Sequence, residues 1–82
     1  AIGVMQGVQA AGLRVPDDLA IVGFDDIPAA RYVTPALTTV AQFQEQIGRR
    51  AAEMLLERLS TTEMLAGRSI EMPFELKVRA ST

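Results

Sequence analysis

Two adjacent carboxylates, Asp25 and Asp26, stand directly behind the apolar run Leu19-Ala20-Ile21-Val22-Gly23-Phe24. A carboxylate at the end of a buried strand can accept hydrogen bonds from a pair of sugar hydroxyls or from nucleobase N–H groups. Paired acids can also hold Mg²⁺, but no third oxygen ligand and no catalytic partner accompany this pair in the sequence. Either Asp can instead cap the turn that follows, with Pro28 just inside it. Pleat alternation puts Phe24 and Asp26 on the face opposite Asp25, so the two carboxylates need not act together.

Little else in the chain offers chemistry. Its 82 residues include no Cys, no His and no Trp. Zinc sites built on His or thiolate, and Ser-His or Cys-His machinery, are therefore excluded within it. The net charge is −2 and the Arg residues are scattered. Without a basic stripe, direct nucleic-acid binding by this segment is not expected. A composition 49% hydrophobic and 22% charged rules out disorder. No apolar run approaches the ~20 residues of a membrane span. Ala1-Ile2-Gly3 has none of the basic character of a signal peptide.

The elements that must position the carboxylates follow from periodicity. Residues 1–11 read as a helix, with Ile2, Met5 and Val8 in one apolar row and Gln6 and Gln9 outside it. Gly3 and Gly7 form a smooth ridge suited to close packing on another element. Gly12 is expected to end the helix in a left-handed conformation, with Leu13 reaching back to Val8. Ala1 offers no capping side chain, which suggests a chain cut from something longer. Val15-Pro16-Asp17-Asp18 is a turn. Residues 19–24 are continuously apolar, which fits a strand covered on both faces in a parallel sheet. Residues 27–37 read as a loop with one short helical turn, and Leu37-Thr38-Thr39-Val40 as a second strand.

Gln44 to Leu59 is the clearest helix. Ile47, Ala51, Met54, Leu55 and Leu59 form its apolar stripe, and Glu45–Arg49 and Arg49–Glu53 are candidate ion pairs. Ser60-Thr61-Thr62-Glu63 matches a capping box, with a one-turn helix before Gly67 as the alternative to a surface loop. Residues 70–79 alternate, with Ile70, Met72, Phe74, Leu76 and Val78 on one face. Pro73 places that strand at an edge or a start. The first helix, the second helix and this strand thus carry three apolar surfaces, more than so short a chain can cover.

Helix, strand, loop, strand, helix, strand is α/β order. The run Ala11-Gly12-Leu13-Arg14-Val15-Pro16-Asp17-Asp18-Leu19-Ala20-Ile21-Val22-Gly23-Phe24-Asp25-Asp26 resembles the effector domain of LacI/GalR-type bacterial repressors. So do Pro35-Ala36-Leu37-Thr38-Thr39-Val40, Gly48 with Ala51-Ala52 and Leu55-Leu56, and Leu76-Lys77-Val78-Arg79-Ala80-Ser81-Thr82. The resemblance covers essentially the whole chain, in order.

The resemblance implies the C-terminal part of a two-lobed, periplasmic-binding-protein-like effector domain, a parallel sheet flanked by helices. Residues 1–41 would belong to the C-terminal lobe. Residues 42–69 would be the crossover and a helix of the N-terminal lobe, and residues 70–82 the returning strand. Asp25 would line the ligand cleft, with Gln42 facing it from the crossover or bonding the crossing backbone. Asp26 would remain a cap, and Pro16, Gly23 and Pro35 would be structural. Ile2, Gln6, Tyr32 and Val33 match the region of a homodimer interface, although Ile2 and Val33 also read as core. The implied parent is a cytoplasmic, non-enzymatic regulator that needs no cofactor or metal. A sugar or nucleobase effector would modulate operator binding by a helix-turn-helix outside this segment. The rivals are a periplasmic sugar-binding transport protein of the same fold and an α/β domain using Asp25 and Asp26 for Mg²⁺ chemistry.

Overall fold

The computed structural model describes residues 1–63 and 66–82. Its elements are α1 (Ile2–Ala10), β1 (Val22–Phe24), a 3-10 turn (Pro28–Arg31), β2 (Thr38–Gln42), α2 (Gln44–Leu59) and β3 (Phe74–Lys77). The chain divides into two compact units: Ala1–Gln42 with Phe74–Thr82, and Phe43–Pro73.

In the first unit the strand order is β1-β2-β3. β1 and β2 are parallel, with Val22 beside Thr38 and Phe24 beside Val40. β3 pairs antiparallel to β2, with Leu76 beside Val40 and Phe74 beside Gln42. The sheet is therefore mixed where a parallel one was expected, because the chain re-enters it running the opposite way. One face carries the core of Met5, Ile21, Ala30 and Leu37, with Ile2, Val8, Val15 and Val33 packed around it. α1 and the 3-10 turn supply the cover. Gly23 is fixed by close approach: a Cβ there would lie 2.8 Å from Leu37 Cδ2 and 3.3 Å from Ala1 Cβ.

The expectation that residues 19–24 are covered on both faces is not met. Val22 is 55% exposed and Phe24 62% exposed, and Leu76 and Val78 are also exposed. The alternating face of 70–79 is regular in sequence, but Phe74, Leu76 and Val78 on it are exposed, and only 74–77 pair as strand. The Gly3–Gly7 ridge is likewise open, with no atom near a Cβ built at either position.

α1 ends as expected. Gly12 has φ +83°. Its N–H bonds to the Gln9 carbonyl at 3.0 Å, and the Leu13 N–H bonds to the Val8 carbonyl at 3.2 Å. That pair of bonds is the Schellman ending, and the left-handed φ is what requires glycine.

The tail after β3 closes the other end of the sheet. Ser81 is fully buried. Its hydroxyl donates to the Ile21 carbonyl at 2.6 Å and accepts the Thr38 N–H at 2.8 Å. Its backbone N–H bonds to the Ala36 carbonyl at 2.9 Å, and its carbonyl accepts the Ile21 N–H at 3.0 Å. The Thr38 hydroxyl accepts the Arg79 N–H at 2.8 Å and lies 2.7 Å from the Thr82 hydroxyl.

The second unit is α2 and the segment after it. α2 has the expected bounds, and Leu55, Leu56 and Leu59 on its apolar stripe are exposed. Glu45–Arg49 forms at 3.4 Å, but Arg50, not Arg49, pairs with Glu53, at 3.2 Å. Both spacings bring side chains together on a helix. Ser60 closes α2 and donates to the Glu57 carbonyl, so Thr61, not Ser60, accepts the Glu63 N–H. The expected capping box with Ser60 is thus replaced by a local turn. The one-turn helix before Gly67 falls on Met64 and Leu65, outside the described residues.

Replacing Ser81 with Ala leaves the Ile21 carbonyl and the Thr38 N–H unpaired in the interior. The expected loss is about 2–6 kcal/mol, from two buried groups stranded at ~1–3 kcal/mol each. Urea melts of Ser81→Ala and wild type in the full-length protein check this. A difference under ~0.5 kcal/mol, the range of an ordinary surface change, would overturn the clasp.

Candidate functional site

Parallel strands share a carboxyl edge, and in open α/β sheets that edge is where ligands sit. β1 and β2 present Asp25 and Gln42 there. Asp25 follows the last residue of β1, and its N–H continues the ladder to the Val40 carbonyl at 2.8 Å. Gln42 is the last residue of β2. Its Nε2 donates to Asp25 Oδ1 at 3.3 Å. The structure therefore brings the two sequence-predicted ligand residues together, with the Asp25 side exposed.

The backbone that makes this edge is unusual. Asp25 has φ +84° and Asp26 φ +47°. Aspartate tolerates the left-handed region better than most residues, yet each such residue still costs on the order of 1 kcal/mol. The two carboxylates diverge because of this turn, rather than through the pleat alternation expected from sequence.

Asp26 is not a cap. The 3-10 turn has Ile27 at its N-cap and no capping side chain. Instead the Asp26 carboxylate meets the Arg79 guanidinium at 2.7 Å, with side chains only 10% and 16% exposed. The same Arg79 nitrogen donates to the Leu37 carbonyl at 2.9 Å. The Asp26 N–H donates to the Thr39 hydroxyl at 3.2 Å. The charged partner was missed because Arg79 alternates with Val78 and reads as a solvent-facing strand residue. The strand ends at Lys77, however, and Arg79 belongs to the tail. The signal that could have found it is the hydroxyl cluster Ser81-Thr82 just behind it, which is unusual chemistry for an exposed edge.

The hydrogen bond from Arg79 holds the Asp26 carboxyl below the ordinary carboxylate range. Burial pushes the other way and is outweighed, with the positive charges of Arg79, Arg31 and Lys77 adding to the lowering. Asp25 and Asp26 thus serve different partners. Among the described residues no group of three or more His, Cys, Asp or Glu could hold a metal ion.

The residues matched to a dimer interface come from α1 and from the end of the 3-10 turn. Ile2 and Val33 are half-buried against it. Gln6 is exposed and Tyr32 is 82% exposed. The Gln9 amide donates to the Thr34 carbonyl at 3.0 Å, which ties α1 to the segment behind the 3-10 turn.

Comparison with known proteins follows the same lines. The family model described as periplasmic binding protein-like domain matches residues 1–82. The chain is 43% identical over 79 residues to the HTH-type transcriptional repressor PurR of Vibrio campbellii, covering 96% of this chain and 23% of that protein. It is 41% identical over 81 residues to a lactose operon repressor of Rhizobium radiobacter, covering 99% of this chain and 70% of that one. Among solved structures, a LacI family transcriptional regulator from Enterococcus faecium with bound ribose aligns at a TM-score of 0.83 and 34% identity. That alignment covers 98% of this chain and 30% of the regulator. The chain thus spans about a quarter of the length of relatives such as PurR.

Because the folded-state pKa of Asp26 is lowered, the unfolded chain binds more protons at acid pH, and stability rises with pH through this group. Its contribution is complete above the ordinary carboxylate value of about 4 and is lost as pH falls through the lower folded value. Asp26→Asn is expected to cost about 1–2 kcal/mol at pH 7, as for a hydrogen bond to a charged group that is partly screened. That cost should shrink as pH falls through the lowered folded-state value of Asp26. Thermal melts of both proteins across this range give the measurement, and a cost independent of pH would contradict the assignment.

Proposed function

This chain belongs to the periplasmic binding protein-like domain family of LacI-type regulators, and from that premise we propose that its β1–β2 carboxyl edge is one wall of a sugar-effector cleft. The observation that carries the reading is the Gln42 amide donating to the Asp25 carboxylate at 3.3 Å on that edge. A carboxylate accepts from two neighbouring sugar hydroxyls, and a carboxamide adds one acceptor and two donors beside it. The bound ribose of the Enterococcus faecium regulator supports sugar over nucleobase as the ligand class. The repressor names of the relatives support a regulator over a transport protein or an enzyme.

In this reading the chain works by binding alone, without a cofactor or a catalysed step. Residues 1–41 and 70–82 form part of one lobe, and residues 42–69 the crossover and a helix of the other. The division of the structure at Gln42 and Phe74 supports this assignment. Ligand between the lobes favours one domain arrangement, and the dimer passes that preference to a DNA-reading segment outside these residues. Such a protein acts in the cytoplasm, on DNA. The dimer surface is Ile2, Gln6, Tyr32 and Val33, with Tyr32 as the exposed anchor.

In the full-length protein, Asp25→Ala is expected to weaken sugar binding by roughly 1.5–3 kcal/mol, the worth of a hydrogen bond to a charged acceptor. Calorimetric titration with D-ribose, lactose and cellobiose tests this. Wild-type protein that binds none of the three overturns the ligand class, and unchanged affinity in Asp25→Ala overturns the site. For the dimer, Tyr32→Asp should raise the dissociation constant at least about tenfold, as for loss of an aromatic anchor. Sedimentation equilibrium reads it, and an unaltered monomer–dimer balance would place the interface elsewhere.

A further inference from the structure

We infer that Arg79 is a positioning residue for Asp25: it clamps Asp26, and through Asp26 it holds the left-handed turn that sets the Asp25 carboxylate on the ligand edge. The inference rests on the proposed role of Asp25 and extends it to Arg79, which its pairing with Asp26 ties to the turn.

Consider what holds the turn. Two consecutive aspartates at φ +84° and +47° do not form a conformation that local sequence favours, since left-handed residues occur singly. Asp25 is tied by its N–H to the Val40 carbonyl. Asp26 is tied twice, by its N–H to the Thr39 hydroxyl and by its carboxylate to Arg79 at 2.7 Å. Arg79 is itself immobilised. Its guanidinium donates to the Leu37 carbonyl at 2.9 Å, and its backbone N–H donates to the Thr38 hydroxyl at 2.8 Å. The turn is therefore held to β2 through the Asp25 N–H, the Gln42 amide on the Asp25 carboxylate and the Thr39 hydroxyl, and to the tail by an ion pair that reaches 53 residues along the chain. The Asp26–Arg79 tie joins two charged groups in a nearly enclosed position, and charge-assisted hydrogen bonds are the strong kind. A site needs its carboxylate within about half an ångström of the productive position, which a turn of this kind meets only when clamped.

A merely structural ion pair would affect melting alone. Positioning predicts a change in the Asp25 backbone itself. In the labelled full-length protein, the one-bond Cα–Hα coupling of Asp25 reports the sign of φ with no ligand present. Arg79→Met is expected to move that coupling from the left-handed value toward the value of ordinary negative φ. Adding Asp26→Gly to Arg79→Met is expected to restore it, because glycine takes a left-handed φ without a clamp. Arg79→Lys keeps the charge but loses the planar fork, and is expected to give a smaller move in the same direction. That variant carries the test where Arg79→Met does not fold. A coupling unmoved in the folded Arg79 variants overturns the inference, as does a moved coupling that Asp26→Gly fails to restore. Because the readout needs no sugar, its failure is separate from a failure of Asp25→Ala to weaken sugar binding.

Discussion

The fold of the first unit depends on one buried hydroxyl. Ser81 joins Ile21, which leads into β1, to Thr38, which opens β2, and it reaches both from the far end of the chain. Parallel strands cannot be joined by a tight hairpin, so β1 and β2 need cover and cross-bracing from elsewhere. Met5 and Leu37 supply the cover from one side. The bracing is polar and comes from the tail: Ser81 in the middle, with Thr82 and Arg79 beside it bonding to Thr38 of β2. A hydroxyl fits because it donates and accepts at once, and the two strands offer one carbonyl and one N–H at the same point. Every buried side-chain polar atom among the described residues is satisfied, so the network adds bracing without leaving a stranded group.

From that clasp the geometry of the site follows. The tail that carries Ser81 also carries Arg79, two residues before it. With Ser81 fixed between the strands, the Arg79 backbone is held on Thr38 and its guanidinium is aimed along β2 toward Asp26. The carboxyl edge of β1 and the last residues of the chain are therefore one unit, although about fifty residues of sequence separate them. Such a dependency is invisible to periodicity, which reads only neighbours at two, three and four residues. It explains why the strand end before Asp25 and the bounds of α2 were readable from local pattern, whereas the partner of Asp26 was not. Gln44–Leu59 carries a full apolar stripe with charges behind it, and Gly12 sits where a helix must stop. Arg79 carries no such local signature. By local rules it is one more charged residue in an alternating strand.

The apolar patterns were readable too, but they say what a segment needs and not what this chain provides. Val22, Phe24, Leu76 and Val78 line up across the strands as a core face would, and they remain exposed. Leu55, Leu56 and Leu59 do the same on α2. A continuous apolar strand implies cover on both faces only if the whole domain is present. Relatives such as PurR are about four times as long as this chain, by the 23% of its length that the alignment covers. The exposed faces and the short span relative to PurR are thus consistent with one another.

The aspartate doublet shows how one residue type can do two jobs side by side. Identical side chains in adjacent positions of a regular strand would differ only in which face they take. Here the backbone leaves the strand at Asp25, and the left-handed φ values send the two carboxylates into different surroundings. One is exposed beside an amide donor, where its charge can meet a polar ligand at little desolvation cost. The other is nearly enclosed and is kept ionised by a guanidinium, so it serves the fold. Exchanging their roles would fail on both counts. A buried carboxylate without Arg79 would be driven toward its neutral form, and an exposed carboxylate with Arg79 would be screened from its partner and hold the turn weakly. The proposed assignment of ligand contact to Asp25 and clamp to Asp26 rests on this difference in burial and charge.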